Sequence, residues 1–210
     1  MTTPDLRPRL VDEVLSVLLG ASCAGCDEPG RLLCDGCRNL LRPAPVRRAL
    51  TAGLSATAAL PFDGVAARCI RAVKEDGSTL LVRPLAAALR AVVPSDPATL
   101  LVPVPTSRAA FRRRGFRVPE LLVRACGRRP TRLLVPVGRT EDQRGLGRAE
   151  RALNVAGSMR ARRAGTGDEV IVVDDVITTG ATLTEASDVL REAGFLVRGA
   201  IALAATPRLR

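Results

Sequence analysis

The sequence predicts an α/β protein: a mostly parallel sheet flanked by helices, with a small N-terminal zinc-binding module. Three observations carry this. Residues 170–173 are Val-Ile-Val-Val, a continuous β-branched run of the kind found in strands covered on both faces. Past two aspartates and a Thr/Gly loop, a helix-like pattern follows over 181–193. Near the N-terminus, Cys23-x-x-Cys26 and Cys34-x-x-Cys37 are separated by seven residues. A chain of 210 residues, 47% of them hydrophobic, suffices for one well-packed domain and a small appendage. The expected division is 1–45, an N-terminal helix and four-cysteine knob, and 46–210, the α/β domain.

From the N-terminus, Leu10, Val11, Val14, Leu15, Leu18 and Leu19 form a helical stripe. Residues 14–21 faintly look like the apolar part of a signal peptide. Asp12 and Glu13 directly before them favour an amphipathic helix instead. No transmembrane segment is read, so the expectation is a cytoplasmic protein with no membrane insertion.

In the cysteine module, x-x spacing lets both sulfurs of a knuckle reach one ion. Cys23, Cys26, Cys34 and Cys37 fit a tetrahedral Zn²⁺ site. All four positions would be filled by protein, which describes a structural site. Two disulfides or a redox pair are the alternatives; neither a convincing secretion signal nor a thioredoxin-like context accompanies them. Cys69 and Cys126 lie on helix-like patterns and read as buried spectators.

Phe62, Ala66, Cys69, Ile70 and Val73 are helix-spaced, with Lys74 in the last turn and Gly77 beyond. Lys74 is the only lysine among 32 cationic residues. Its position would complement the helix dipole. A second helix is expected over 83–93, with Pro84 in its first turn. Residues 100–104 read as a buried strand, closed by Pro103 and Pro105. Thr106, Ser107 and Arg108 follow, then Arg112, Arg113 and Arg114. Hydroxyls and arginines after a parallel strand fit a second anion site, because ligands sit at the carboxyl ends of such strands. The alternative is a solvated basic face. A third strand is expected over 131–137, then a long charged loop over 138–147 and a short helix over 148–154. That loop is placed to close over a substrate, or is simply a flexible connection. A last strand over 195–204 completes the sheet.

The chemistry concentrates in residues 170–182. Asp174 and Asp175 end the β-branched run, and Thr178, Thr179, Gly180, Ala181 and Thr182 lead into the helix. Free N–H groups and the positive dipole end make a helix N-terminus an anion site. The threonines add hydroxyl donors, and Gly180 admits close approach of the backbone. A phosphate is repelled by the aspartates, so these suit the vicinal hydroxyls of a ribose, or Mg²⁺. A 5-phosphorylated ribose satisfies both halves.

Composition excludes other chemistries. There is no histidine, so histidine bases and histidine metal ligands are ruled out. Neither G-x-x-x-x-G-K-[ST] nor G-x-G-x-x-G occurs. A net charge of +11 suits phosphorylated substrates, acidic lipid or nucleic acid. With four Phe and no Trp or Tyr, platforms for stacking bases are scarce.

The string from Val170 to Thr182 resembles the 5-phosphoribosyl-1-pyrophosphate (PRPP) motif of type I phosphoribosyltransferases, over about half the chain. The order of features over nearly the whole chain resembles the ComF-type family of phosphoribosyltransferase-like proteins, some of which serve DNA uptake in competent bacteria. The matching residues are the four cysteines, Lys74, Pro103-Val104-Pro105-Thr106-Ser107-Arg108, Gln143, Arg151, Asn154 and the acidic-threonine string. One departure stands after Arg114-Gly115-Phe116, where Arg117-Val118 replaces the family's Asn-Gln. The resemblance implies a type I phosphoribosyltransferase fold. Asp174 and Asp175 would bind the ribose hydroxyls and the 178–182 loop the 5-phosphate. Thr106, Ser107 and Arg108 would bind pyrophosphate with Mg²⁺, and Lys74 is placed with the substrate-binding residues. Gln143 and Arg144 would lie over the active site on a catalytic loop. The implied partner is PRPP or a related sugar phosphate. The alternative is an accessory protein in DNA uptake, binding single-stranded DNA or a competence helicase-type partner.

Overall fold

A computed structural model describes residues 22–137 and 157–207. The N-terminal stripe, the 138–147 loop with Gln143 and Arg144, and the 148–154 helix with Arg151 and Asn154 lie outside them.

After the cysteine module with its short helix α1 (Asp35–Asn39) come strands β1 (Val46–Ala49) and β2 (Ser55–Pro61). Helices α2 (Gly64–Glu75) and α3 (Val82–Leu89) follow, then β3 (Leu100–Pro103), α4 (Arg108–Arg114) and α5 (Val118–Ala125). Strands β4 (Leu134–Pro136) and β5 (Met159–Ala161) form a separate antiparallel ribbon. Strand β6 (Glu169–Ile177), α6 (Ala181–Glu192) and β7 (Leu196–Ala205) complete the described chain.

The sheet runs β1-β2-β7-β6-β3, parallel throughout except for β1. Its two faces explain the unbroken apolar run. Val173 joins a core with Ile70 of α2, Leu85 and Leu89 of α3, and Leu122 of α5. Val170 and Val172 point the other way, into a core with Leu183 and Leu190 of α6 and Leu134 and Met159 of the ribbon. Successive strand residues face opposite sides, so only a strand buried twice needs apolar residues at every position.

The structure corrects several expectations. Strand β6 does not stop at Val173; it runs to Ile177, carrying both aspartates inside the sheet. The last strand, expected over 195–204, is present as β7 and lies centrally, between β2 and β6. The expected 131–137 strand is shorter and belongs to the ribbon. The arginines at 112–114 lie on a helix, α4. The expected 83–93 helix is α3 with a 3₁₀ turn, Arg90–Val92, after it. Strands β1, β2 and β5 carry no clear signal: β2 is Ser-Ala-Thr-Ala-Ala-Leu-Pro, poor in β-formers and stabilised by pairing with β7. Cys69 is fully buried as expected, whereas Cys126 is half-buried. Among the described residues no helix is long and apolar enough to cross a membrane.

Candidate functional site

The two aspartates sit where β6 reaches the carboxyl end of the sheet. Alternation sends them to opposite faces. The Asp175 backbone N–H donates to Asp174 Oδ1 at 2.7 Å. On the α2 side, Lys74 Nζ donates to Asp175 Oδ1 at 2.9 Å. The only lysine of the chain thus reaches 101 residues forward to an aspartate, a finer role than dipole complement. Asp175 is buried. Burial, and then the neighbouring Asp175 charge, push the Asp174 carboxyl up to about 7, against the opposing pull of the Asp175 N–H and Lys74.

Beyond Ile177 the chain turns through Thr178 and Thr179, both exposed, to Gly180 at φ +87. Gly180 is the N-cap of α6 and has no side chain to cap it; Thr179 Oγ1 takes the Ala181 N–H at 3.3 Å and leaves the N–H groups after it without a side-chain cap from Gly180. Uncapped N–H groups at a helix start suit an anion. The left-handed φ of Gly180 favours glycine, and a Cβ there would lie 2.4 Å from Leu50 Cδ2, so the tip of Leu50 would have to shift.

Leu50 belongs to the β1–β2 turn, which packs on this loop. Thr51 Oγ1 and Thr184 Oγ1 are 3.2 Å apart. On the other flank the Thr206 N–H donates to the Ile177 carbonyl at 2.9 Å, and Arg48 donates to the Thr206 carbonyl. Sequence reasoning missed Arg48, Leu50, Thr51 and Thr206. They support the loop from strands whose pairing no local pattern announces.

Strand β3 brings in the other predicted segment. Pro103 pairs with Val173, and the Val104 N–H donates to the Val173 carbonyl at 2.9 Å. Thr106, Ser107 and Arg108 therefore leave the sheet beside the aspartates. Ser107 Oγ is occupied as the N-cap of α4, accepting from the Ala110 N–H at 3.2 Å. Lys74, the aspartates, the 178–182 loop and the 106–108 segment thus share one end of the sheet; Gln143 and Arg144 lie outside the described residues.

The four cysteines form a second, separate cluster, and their Sγ atoms all lie within 4.8 Å of one another. Cys26 Sγ and Cys34 Sγ are 3.7 Å apart. Tetrahedral Zn–S bonds of about 2.3 Å demand a sulfur–sulfur edge of about 3.8 Å, so the set fits a zinc ion. Gly25 makes the closeness possible, since a Cβ there would meet Cys37 Sγ at 2.5 Å. Burial opposes ionisation of Cys23, but the N–H groups of Cys34, Gly25 and Cys26 outweigh it and bring the thiol down to about 6. Burial and the neighbouring thiols push Cys37 up. Four thiolates coexist here only around a cation.

No family model matches the chain. An adenine phosphoribosyltransferase of Polynucleobacter asymbioticus (strain DSM 18221 / CIP 109841 / QLW-P1DMWA-1) is 38% identical over 79 residues, 38% of this chain. The chain spans 42% of the length of that curated relative. Among solved structures, an adenine phosphoribosyltransferase is similar over 80% of this chain and 89% of its own, at 15% identity and a TM-score of 0.39. Orotate phosphoribosyltransferase from Aeropyrum pernix is similar over 79% and 75%, at 18% identity and a TM-score of 0.29. The chain thus shares local sequence with a phosphoribosyltransferase and carries a mostly parallel α/β sheet beside a four-cysteine cluster.

Proposed function

We propose that this chain is a PRPP-binding, type I phosphoribosyltransferase-like protein of the ComF type, holding a 5-phosphoribosyl group with pyrophosphate as the leaving group. The observation that carries the reading is the junction of β6 and α6. Two carboxylates and an uncapped, threonine-rich helix start stand a few residues apart at the carboxyl end of a parallel strand. The 5-phosphate belongs on the N–H groups and hydroxyls of residues 178–182. The ribose hydroxyls belong on Asp174 and Asp175. Lys74 holds the Asp175 side chain in place, and the Asp175 N–H orients Asp174. Thr106, Ser107 and Arg108 face the pyrophosphate, with Ser107 contributing chiefly by setting the start of α4. Gln143 and Arg144 belong to the loop that closes over the ligand.

Mg²⁺ bound with PRPP would neutralise charge on the departing pyrophosphate. The protein's own part is positioning and charge complementarity around an oxocarbenium-like ribose. Absence of histidine is compatible with this division of labour. Zn²⁺ on Cys23, Cys26, Cys34 and Cys37 is structural, holding together the fold of the 1–45 module that precedes the 46–210 domain of a cytoplasmic protein.

The test is pyrophosphate release from PRPP across a panel of nucleobases and amines. Release with one acceptor, lost in Asp174→Asn/Asp175→Asn, supports the transferase reading. Release with none of them moves the reading to a PRPP-binding module. A DNA-uptake role, with single-stranded DNA or a helicase-type partner, is the second reading, favoured by the +11 charge. Failure to bind single-stranded DNA at low salt removes its DNA-binding form.

A further inference from the structure

The first knuckle of the cysteine module sits on helix α2. Arg68, exposed on that helix, donates to the Ala24 carbonyl at 3.2 Å and grips both oxygens of the Asp27 carboxylate, at 2.5 and 2.6 Å. Ala24 and Gly25 are the two residues between the ligands Cys23 and Cys26, and Asp27 follows directly. Gly25 is pressed between the metal site and the helix. A Cβ on it would lie 2.5 Å from Cys37 Sγ and 3.0 Å from Val65 Cγ1. Beneath these contacts Cys23, Cys34 and Cys37 share a core with Ile70 and Val73 of α2.

The other end of α2 serves a different site. Lys74, in its last turn, donates to Asp175 Oδ1 at 2.9 Å, and Val73 packs in the same core as Val173 of β6. Arg68 and Lys74 are about 9 Å apart along the helix axis, taking 1.5 Å of rise per residue. A helix of 12 residues moves as one body, and a close-packed interior passes a displacement on. The seating of the knuckle on the first half of α2 therefore sets where its last turn presents Lys74. That seating depends on the metal, because Ala24 and Gly25 are held between two of its thiolates. The Arg68 and Asp27 side chains are 45% and 70% exposed, so their pairing adds little to stability. Its two-point geometry instead fixes register.

We propose that Arg68 is a positioning residue: by gripping the zinc knuckle at Ala24 and Asp27 it sets α2 so that Lys74 meets Asp175, and it thereby couples the metal centre to the ribose end of the site. The link from Arg68 to Lys74 is a property of the fold; its consequence for ligand binding rests on the PRPP reading. Coupling between two binding sites is reciprocal, so a ligand on Asp174 and Asp175 tightens zinc as the seated knuckle tightens the ligand. An effect of about fivefold, the low end of the usual range, suits an exposed pair acting through a helix.

Lys74 is the only lysine, so the zinc-loaded full chain grown on ¹³C-lysine gives one lysine ε-methylene signal by NMR. Arg68→Ala and Asp27→Asn should each move that signal toward its position in Asp175→Asn, where Lys74 has lost its partner. Both sites are exposed, and asparagine tolerates the left-handed backbone of Asp27, φ 65. By calorimetry with Mg²⁺, PRPP affinity should fall about fivefold in Arg68→Ala, and should not fall further when Arg68→Ala is added to Lys74→Met. By competition with a chromogenic chelator, PRPP should tighten zinc in the parent and lose that effect in Arg68→Ala. A Lys74 signal unmoved in both variants overturns the proposal. So does an equal loss of PRPP affinity from Arg68→Ala with and without Lys74, which marks a merely structural role, or a zinc affinity indifferent to bound PRPP. If the parent binds no PRPP, the functional reading fails on its own, and the Lys74 signal still decides whether the knuckle sets Lys74.

Discussion

Asp174 is held in a form the folded protein resists. Desolvation of its half-buried side chain, and then the neighbouring Asp175 charge, push its carboxyl up to about 7 from an ordinary 3.8. The folded state therefore holds the proton more tightly than the unfolded chain. By linkage, stability is greatest below the unfolded value, falls as pH rises from about 4 to about 7, and is flat above that. Holding the proton up to about 7 instead of about 4, at ~1.36 kcal/mol per pH unit, amounts to about 4 kcal/mol of destabilisation at pH 8. Asp174→Asn removes the charge and keeps an oxygen to accept the Asp175 N–H. It should raise Tm at pH 8 by roughly 10 °C, taking ~2–4 °C per kcal/mol for a chain of this size. The assay is thermal unfolding of parent and variant by circular dichroism from pH 4 to pH 8.5. The gap should be near zero at pH 4, widen to about pH 7 and then stay constant. A gap absent at pH 8, or the same at every pH, would refute the linkage argument. The same variant should lose ribose binding, trading function for stability.

Three further outcomes follow from the geometry. Gly180→Ala should lose about 1–3 kcal/mol in chemical denaturation, from left-handed backbone strain and collision with Leu50; adding Leu50→Ala should recover the steric part and leave the backbone part. Lys74→Met should destabilise the protein by about 1–3 kcal/mol at pH 8 by leaving Asp175 unpaired, and a double-mutant cycle with Asp175→Asn should show strong coupling between the two. Elemental analysis should find one zinc per chain in the parent and none in Cys34→Ser. Because Cys23, Cys34 and Cys37 pack in the same core as Ile70 of α2, metal loss should also lower the thermal stability of the whole domain.

The fold class was legible because a twice-buried strand writes itself as an unbroken run. Val170, Val172 and Val173 divide between two cores, and no polar position interrupts them. The cysteine cluster was legible from spacing alone, since x-x knuckles constrain geometry locally. Helix α2 was legible from period, but the target of Lys74 was not. Its partner lies across the fold, and only the packing of α2 against β6 brings them together. Strands β1 and β2 were illegible for the same reason. The alanines of β2 carry weak propensity, β7 supplies its pairing from 140 or more residues away, and β1 in turn pairs only on β2. Glu120 carried no signal as a buried anchor, because its partner Arg132 lies twelve residues on, beyond the end of α5.

The most direct test of the central claim is calorimetric titration of PRPP, with Mg²⁺, into the parent and into Asp174→Asn/Asp175→Asn. Saturable binding to the parent at one site, weakened at least a hundredfold in the double variant while its fold is retained, is the result the account predicts. Undiminished affinity in that variant would contradict it.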